Sequence, residues 1–252
     1  VITGNTISAN NIAFRLPISA FPDETNTIED NVEQYVNLLP NTLSTDVTIP
    51  VWNQGEVDEI ATYVFTSGWV YVPFDRILTV NPGVTLKFQS SGIDTTGRLI
   101  ANGTIDNPIT FTSYRDATIG IDPDDNASEL AQPGDWSGLN FNDSLFEAQN
   151  LLNHSVVRYG GGSTAGIYAY YSDLTVKNSE ISNNRNQGIY IRSASPIVTG
   201  NEIWGNTSQG IYIRDAASNP SISFNRISSN ISHGVYLQYS SNADLTNNEI
   251  YL

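Results

Sequence analysis

The stretch Ile197-Val198-Thr199-Gly200-Asn201-Glu202-Ile203, followed by Asn206 and then by Gly210-Ile211-Tyr212-Ile213, decides the reading of this chain. Its second half recurs as Gly166-Ile167-Tyr168-Ala169, Gly188-Ile189-Tyr190-Ile191 and Gly234-Val235-Tyr236-Leu237, with starts 22, 22 and 24 residues apart. Its first half recurs as apolar pairs five residues apart: Val176 with Ile181, Val198 with Ile203, Ile222 with Ile227 and Leu245 with Ile250. Side chains of a strand alternate with period two, so residues an odd number apart cannot share one face of one strand. A turn must separate them. Asn201, Asn225 and Asn248 stand in that turn, with Ser179 in the equivalent place. Asn suits a sharp bend because it tolerates left-handed backbone and bonds nearby peptide groups. A second column, Asn184, Asn206 and Asn230, falls three residues after the same isoleucine. Stacked coils would set like on like about 4.8 Å apart, and the amides would form ladders. The expectation is an all-β solenoid with coils of about 22 residues.

β-Branched residues dominate, and Gly, Asn and Ser punctuate every few positions, which leaves helices little room. That separates the chain from a leucine-rich horseshoe of similar period. On the residues quoted, it resembles the right-handed parallel β-helix repeat family of the pectin-lyase-like superfamily, in its extracellular form. The resemblance implies a right-handed parallel β-helix and says little about activity, since such folds host many functions. Upstream, β-type runs such as Ile77-Leu78-Thr79-Val80 and Ile109-Thr110-Phe111 alternate with turn signals such as Asn81-Pro82-Gly83. They extend the expected β-helix over residues 62–252, with an acidic loop insertion at about 115–135. Residues 16–61 lack clean periodicity and read as an acidic linker or cap, because no Lys or Arg occurs between Arg15 and Arg76. Val1-Ile2-Thr3-Gly4-Asn5-Thr6-Ile7, followed by Asn10, matches Ile197 to Ile203 followed by Asn206. Residues 1–15 are therefore expected to be a partial coil, either the end of a preceding solenoid or a segment that stacks on another copy.

The formal charge of −15 argues against nucleic acid as a partner, because phosphate binding needs clustered Lys and Arg. There is no Cys and no Met, which suits an oxidising exterior. No apolar run is long enough for a membrane-spanning helix, and Val1-Ile2-Thr3-Gly4 does not read as a signal peptide. Sequons at Asn102, Asn126, Asn142, Asn153, Asn206 and Asn230 are candidate glycosylation sites. Asp122, Asp124 and Asp125 cluster in the acidic loop as candidate calcium ligands, and calcium is the one cofactor suggested.

Paired carboxylates for glycoside hydrolysis are not evident, since Asp173, Glu180, Glu202, Asp244 and Glu249 are scattered or recur in turns. The resemblance implies that a polysaccharide lyase would carry calcium-binding acids beside a basic residue, and Arg192, Arg214 and Asp215 are the nearest approach. They read as a surface ion-pair column. His154 and His233 are the only histidines. Tyr168, Tyr190, Tyr212 and Tyr236 align on one outer face, to meet sugar rings or a partner, or to stack on one another. The function expected is an extracellular structural or adhesive module that assembles head-to-tail with copies of itself. The alternatives are a polysaccharide-active enzyme and a carbohydrate-binding module.

Overall fold

A computed structural model describes residues 2–23, 25–31, 33–52, 62–123, 126, 128–142, 149–239 and 241–252. Among these, every regular element is a β-strand. The strands pair parallel into long sheets of seven, eight and ten, with a separate pair near the start. The chain visits the three long sheets in rotation: Gln187–Arg192 lies in the seven-stranded sheet, Ile197–Thr199 in the eight-stranded and Glu202–Trp204 in the ten-stranded. About nine such turns, of about 24 residues each, make a solenoid.

Alternation decides what fills it. In Gln187–Arg192 the side chains of Ile189 and Ile191 are fully buried, while Tyr190 and Arg192 face outward. Register carries the choice along the axis: Ile167, Ile189 and Ile211 stack in one interior column, Val176, Val198 and Ile222 in a second, Ile181, Ile203 and Ile227 in a third. Each such isoleucine contributes about 1.5–3 kcal/mol relative to an exposed one. Farther up, the interior is aromatic. Phe65 stacks on Phe88 with centroids 5.1 Å apart, and Phe88 on Trp136 at 4.7 Å.

The corners follow one local rule. Directly before each ladder residue stands a residue with positive φ: Asn178, Gly200, Phe224 and Asn247 precede Ser179, Asn201, Asn225 and Asn248. At the second corner Asn183, Gly205 and Ser229 precede Asn184, Asn206 and Asn230. The left-handed conformation expected of the ladder asparagines thus belongs to their predecessors. The reversal turns the next side chain inward, where its amide meets the rung on either side. Asn201 Nδ2 donates to Val176 O and to Asn225 Oδ1, both at 2.9 Å, while its backbone N donates to the same Asn225 Oδ1. Asn225 repeats this with Asn248, and Asn184, Asn206 and Asn230 form the second ladder. The glycine of each Gly-Ile-Tyr belongs to the same device. A Cβ on Gly188 would lie 2.8 Å from Asn206 Nδ2, and one on Gly210 2.8 Å from Asn230 Nδ2, so the amides fit only against bare backbone.

The first residues belong to the same body. Thr6–Ser8 pairs with Thr27–Glu29, and Ile12–Pro17 with Glu33–Leu39, which continues through Thr62–Phe65 into the ten-stranded sheet. Residues 2–15 therefore stack on this chain's own next turn. The segment 16–61, read as a linker or cap, carries Thr27–Glu29, Glu33–Leu39 and Val47–Ile49, the last in the eight-stranded sheet. Asn5 and Asn10 bond to Asn26 and Asn31 as Asn201 and Asn206 bond to Asn225 and Asn230. The motif sits at a different corner, however. Thr6–Ser8, between Asn5 and Asn10, is outside the ten-stranded sheet that holds Glu202–Trp204.

Candidate functional site

The outward face of the seven-stranded sheet carries the tyrosines singled out above. Strand pairing places Tyr71, Asp94, Asn140, Tyr168, Tyr190, Tyr212 and Tyr236 in one column. A neighbouring column holds Tyr170, Arg192, Arg214 and Gln238. The rings of Tyr168, Tyr190, Tyr212 and Tyr236 succeed one another at 5.0, 4.7 and 5.4 Å, the last two pairs stacked nearly parallel. His233 lies 5.1 Å from Tyr236, and Tyr170 lies 5.9 Å from Tyr168. The ring faces are thus turned along the axis and taken by one another. A sugar could not stack on them without parting the column, and what the strip presents sideways is ring edges and hydroxyls.

The arginines complete this face. Arg192 Nε bonds Asp215 Oδ2 at 2.9 Å, Arg214 Nε lies 3.5 Å from Asp215 Oδ1, and the guanidiniums stand over Tyr170 and Tyr239. The hydrogen bond to Asp215, and after it one to Tyr168, hold Arg192 more firmly protonated than usual. Burial raises the Tyr168 pKa, so the phenol stays neutral. One carboxylate serves two arginines, which leaves guanidinium hydrogen atoms for an outside acceptor. Asp94, the carboxylate in the tyrosine column, accepts from Asn142 Nδ2 at 2.9 Å. Four rungs separate the strand of Asp94 from that of Arg214 and Asp215, about 19 Å at the usual strand spacing. Paired-carboxylate glycoside chemistry needs about 5–9.5 Å.

The acidic insertion folds back over the ten-stranded sheet. Ile121 N donates to Thr62 Oγ1, and Arg115 bonds both Glu129 and Asp135. At its root Asp116 is buried, receiving Thr112 Oγ1 at 2.5 Å, Thr118 Oγ1 at 2.7 Å and Arg158 Nη2 at 2.6 Å. Lys87, also buried, donates to the Asp116 carbonyl at 2.7 Å. Burial alone would raise the Asp116 pKa; the threonine hydrogen bonds and the Arg158 charge outweigh it and bring it below the ordinary carboxylate value. Of the candidate calcium ligands, Asp122 lies in this loop, while Asp124 and Asp125 fall outside the described residues. Among the described residues no three acidic, histidine or cysteine side chains gather as a metal site.

Two of the sequons are corrected by burial. A glycan is joined at Nδ2, and the Nδ2 of Asn206 is spent on Ile181 O and Asn230 Oδ1, that of Asn230 on Ile203 O and Ser228 O. Both side chains are enclosed, so the folded ladder has no place for a glycan there. Asn102 and Asn153 bond each other on an exposed edge, Nδ2 of Asn153 to Oδ1 of Asn102 at 2.8 Å. Asn142 holds Asp94, and Asn126 accepts from Ser128. The reading of the sequence missed Asn26 and Asn31, although Asn26-Thr27-Ile28 with Asn31 repeats the spacing of Asn5-Thr6-Ile7 with Asn10.

A family model described as right handed beta helix region matches residues 139–251, and it gives the hand of the solenoid. Comparison with curated proteins and with solved structures finds no match.

Proposed function

With a right-handed parallel β-helix as the body of this chain, we propose that it works as an extracellular structural or adhesive module, a stiff rod that presents one repeating face. The observation that carries this reading is the uninterrupted column of Tyr168, Tyr190, Tyr212 and Tyr236 beside Arg192 and Arg214. Side chains spent on stacking and pairing along the axis stiffen a rod. The hydroxyls and guanidiniums left over recur at the rung spacing, which suits a partner that also repeats, such as a glycan chain laid along the axis. Two arginines sharing one aspartate on a chain of charge −15 favour a hydroxyl-rich partner over a polyanion. Head-to-tail association of copies is the assembly proposed, since a parallel rung added to a solenoid pairs as an internal one does.

The test combines imaging with a depolymerisation assay. Electron microscopy of the purified protein at rising concentration is expected to show rods that lengthen, and surface-bound polysaccharides are expected to retain the protein without releasing fragments. Release of fragments from polygalacturonate would favour the enzyme reading instead. Monomers at every concentration would remove the head-to-tail part.

A further inference from the structure

The outward face of the ten-stranded sheet carries a feature that the proposal above does not use. Strand pairing aligns Ser182, Trp204, Ser228 and Tyr251 in one column and Glu180, Glu202, Arg226 and Glu249 in the next. Trp204 and Tyr251 are exposed and stand two rungs apart, with the small Ser228 between them. A slot of about 310 Å³ results, lined by Trp204, Tyr251, Ser228, Ser229, Arg226 and Glu202. Arg226 stands over the Tyr251 ring at 5.4 Å and its Nε bonds the tyrosine hydroxyl, while its Nη1 is 4.0 Å from Glu202.

We propose that this slot binds one pyranose unit of a neutral glycan. Two rungs span about 9.6 Å at the usual strand spacing. The Tyr251 ring is held by Arg226, so the ring face open to a sugar is that of Trp204, with the Tyr251–Arg226 pair as the opposite wall. A saturated ring needs one van der Waals contact of about 4.0–4.5 Å on each side, or about 8–9 Å in all, so one ring fits and two do not. The chemistry of the walls matches vicinal hydroxyls, each of which gives and takes a hydrogen bond. Arg226 supplies donors, Glu202 acceptors, and the hydroxyls of Ser228 and Ser229 either. Glu202 and Glu249 flank the single Arg226, so the local charge is negative and a uronic acid is disfavoured. The contrast with the tyrosine strip is physical: there the rings close on one another, whereas here a serine holds them apart. The proposal does not depend on the tyrosine face or on assembly.

The test is saturation-transfer NMR and calorimetry of the whole chain with neutral hexaoses built of glucose, mannose or galactose, and with a hexagalacturonate. At least one neutral hexaose is expected to bind in the millimolar range, with affinity falling at least tenfold in Trp204→Ala and in Ser228→Phe. The second variant fills the slot from an outward position and leaves both walls in place, so it remains informative if the first fails to fold. Thr199→Ala, facing outward on the eight-stranded sheet and part of neither face, is expected to leave this affinity unchanged. The proposal is overturned if no neutral hexaose binds at up to about 20 mM, which would all but saturate a site of millimolar affinity, if binding survives Ser228→Phe, or if only the hexagalacturonate binds.

Discussion

From Ala165 to Tyr251 the solenoid is tied at its corners by amide ladders, rung after rung. Between Thr62 and Asn142 the ties are of another kind: a stacked aromatic core of Phe65, Phe88 and Trp136, and a loop anchored through Asp116 to Arg158 and Lys87. A ladder spreads stability evenly, because each Asn contributes one equivalent set of bonds. The anchored loop concentrates it at a few buried groups, whose failure is felt as a whole.

Removing the anchor should give the largest effect. Asp116→Ala leaves Arg158, Thr112 and Thr118 without the buried carboxylate, while the Lys87 bond to the main-chain carbonyl remains, and an expected loss of about 3 kcal/mol follows from the cost of breaking such a pair; chemical denaturation measures it. The same carboxylate predicts acid sensitivity. Its folded pKa is depressed, so its contribution is complete above the ordinary carboxylate pKa of about 3.9 and is lost as pH falls through the lower folded value. The stability gap between the parent and Asp116→Asn should therefore narrow below about pH 4, and a gap that stayed constant down to pH 2 would contradict the assignment.

A single ladder position should cost less. Asn225→Ala strands the Asn201 amide and the Val198 carbonyl, with a loss of about 1–3 kcal/mol expected from unpaired buried groups. Asn201→Ala should match it. If both proved neutral while Val198→Ala was severe, the ladders would be passengers of the apolar columns, and the contrast drawn between the two regions would collapse.

Tyr190→Ala parts an exposed stack and is expected to lower stability by about 0.5–1.5 kcal/mol, read as a small shift in melting temperature. The smallest effect has the opposite sign. Phe224 takes φ 56° directly before Asn225 and is largely exposed, where Gly200 does the same work one rung earlier. Phe224→Gly relieves the left-handed strain, partly offset by backbone entropy, for a gain of under about 1 kcal/mol. A loss of stability there would mean that the phenyl ring contributes packing its exposure does not suggest.

The coils from Gly166 onward were legible because each repeats the same side-chain order, so spacing alone revealed strand, corner and ladder. The opening coils were legible only in part: the match of Asn5 and Asn10 to Asn201 and Asn206 was read, while Asn26 and Asn31, which carry the same signal, were missed. They lack the Gly-Ile-Tyr that marks the later rungs, and pairing in three dimensions sets their motif one strand earlier. The acidic loop drew attention to Asp122 and its neighbours, whereas the buried carboxylate is Asp116. Its partners Lys87 and Arg158 lie 29 and 42 residues away, beyond the reach of any local pattern. The tyrosine column was visible, with mutual stacking among its readings, and the ring spacings show the faces taken in that way. Trp204 and Tyr251 went unremarked because their relation exists only through the rungs.

All three long sheets run their interstrand hydrogen bonds along the solenoid axis, and this bears on how the molecule would carry load. Pulled end to end, bonds within one interface between turns share the force, while successive interfaces carry it one after another, so the thinnest interface yields first. Among the described residues that interface lies early in the chain. Glu33–Leu39 meets Thr62–Phe65 through Val36 with Tyr63 and Asn37 with Val64, a single bridge joins Thr42 to Tyr71, and Thr27–Glu29 has no partner in the eight-stranded sheet. Side chains stitch across it: Trp52 Nε1 donates to Asp23 O at 2.9 Å, and the rings of Phe14 and Phe21 pack edge-on against Trp52 and Tyr63. Under tension the turns that hold Thr6–Ser8 and Thr27–Glu29 should part there from the rungs that follow, so that the solenoid yields at a set place, as a fuse does.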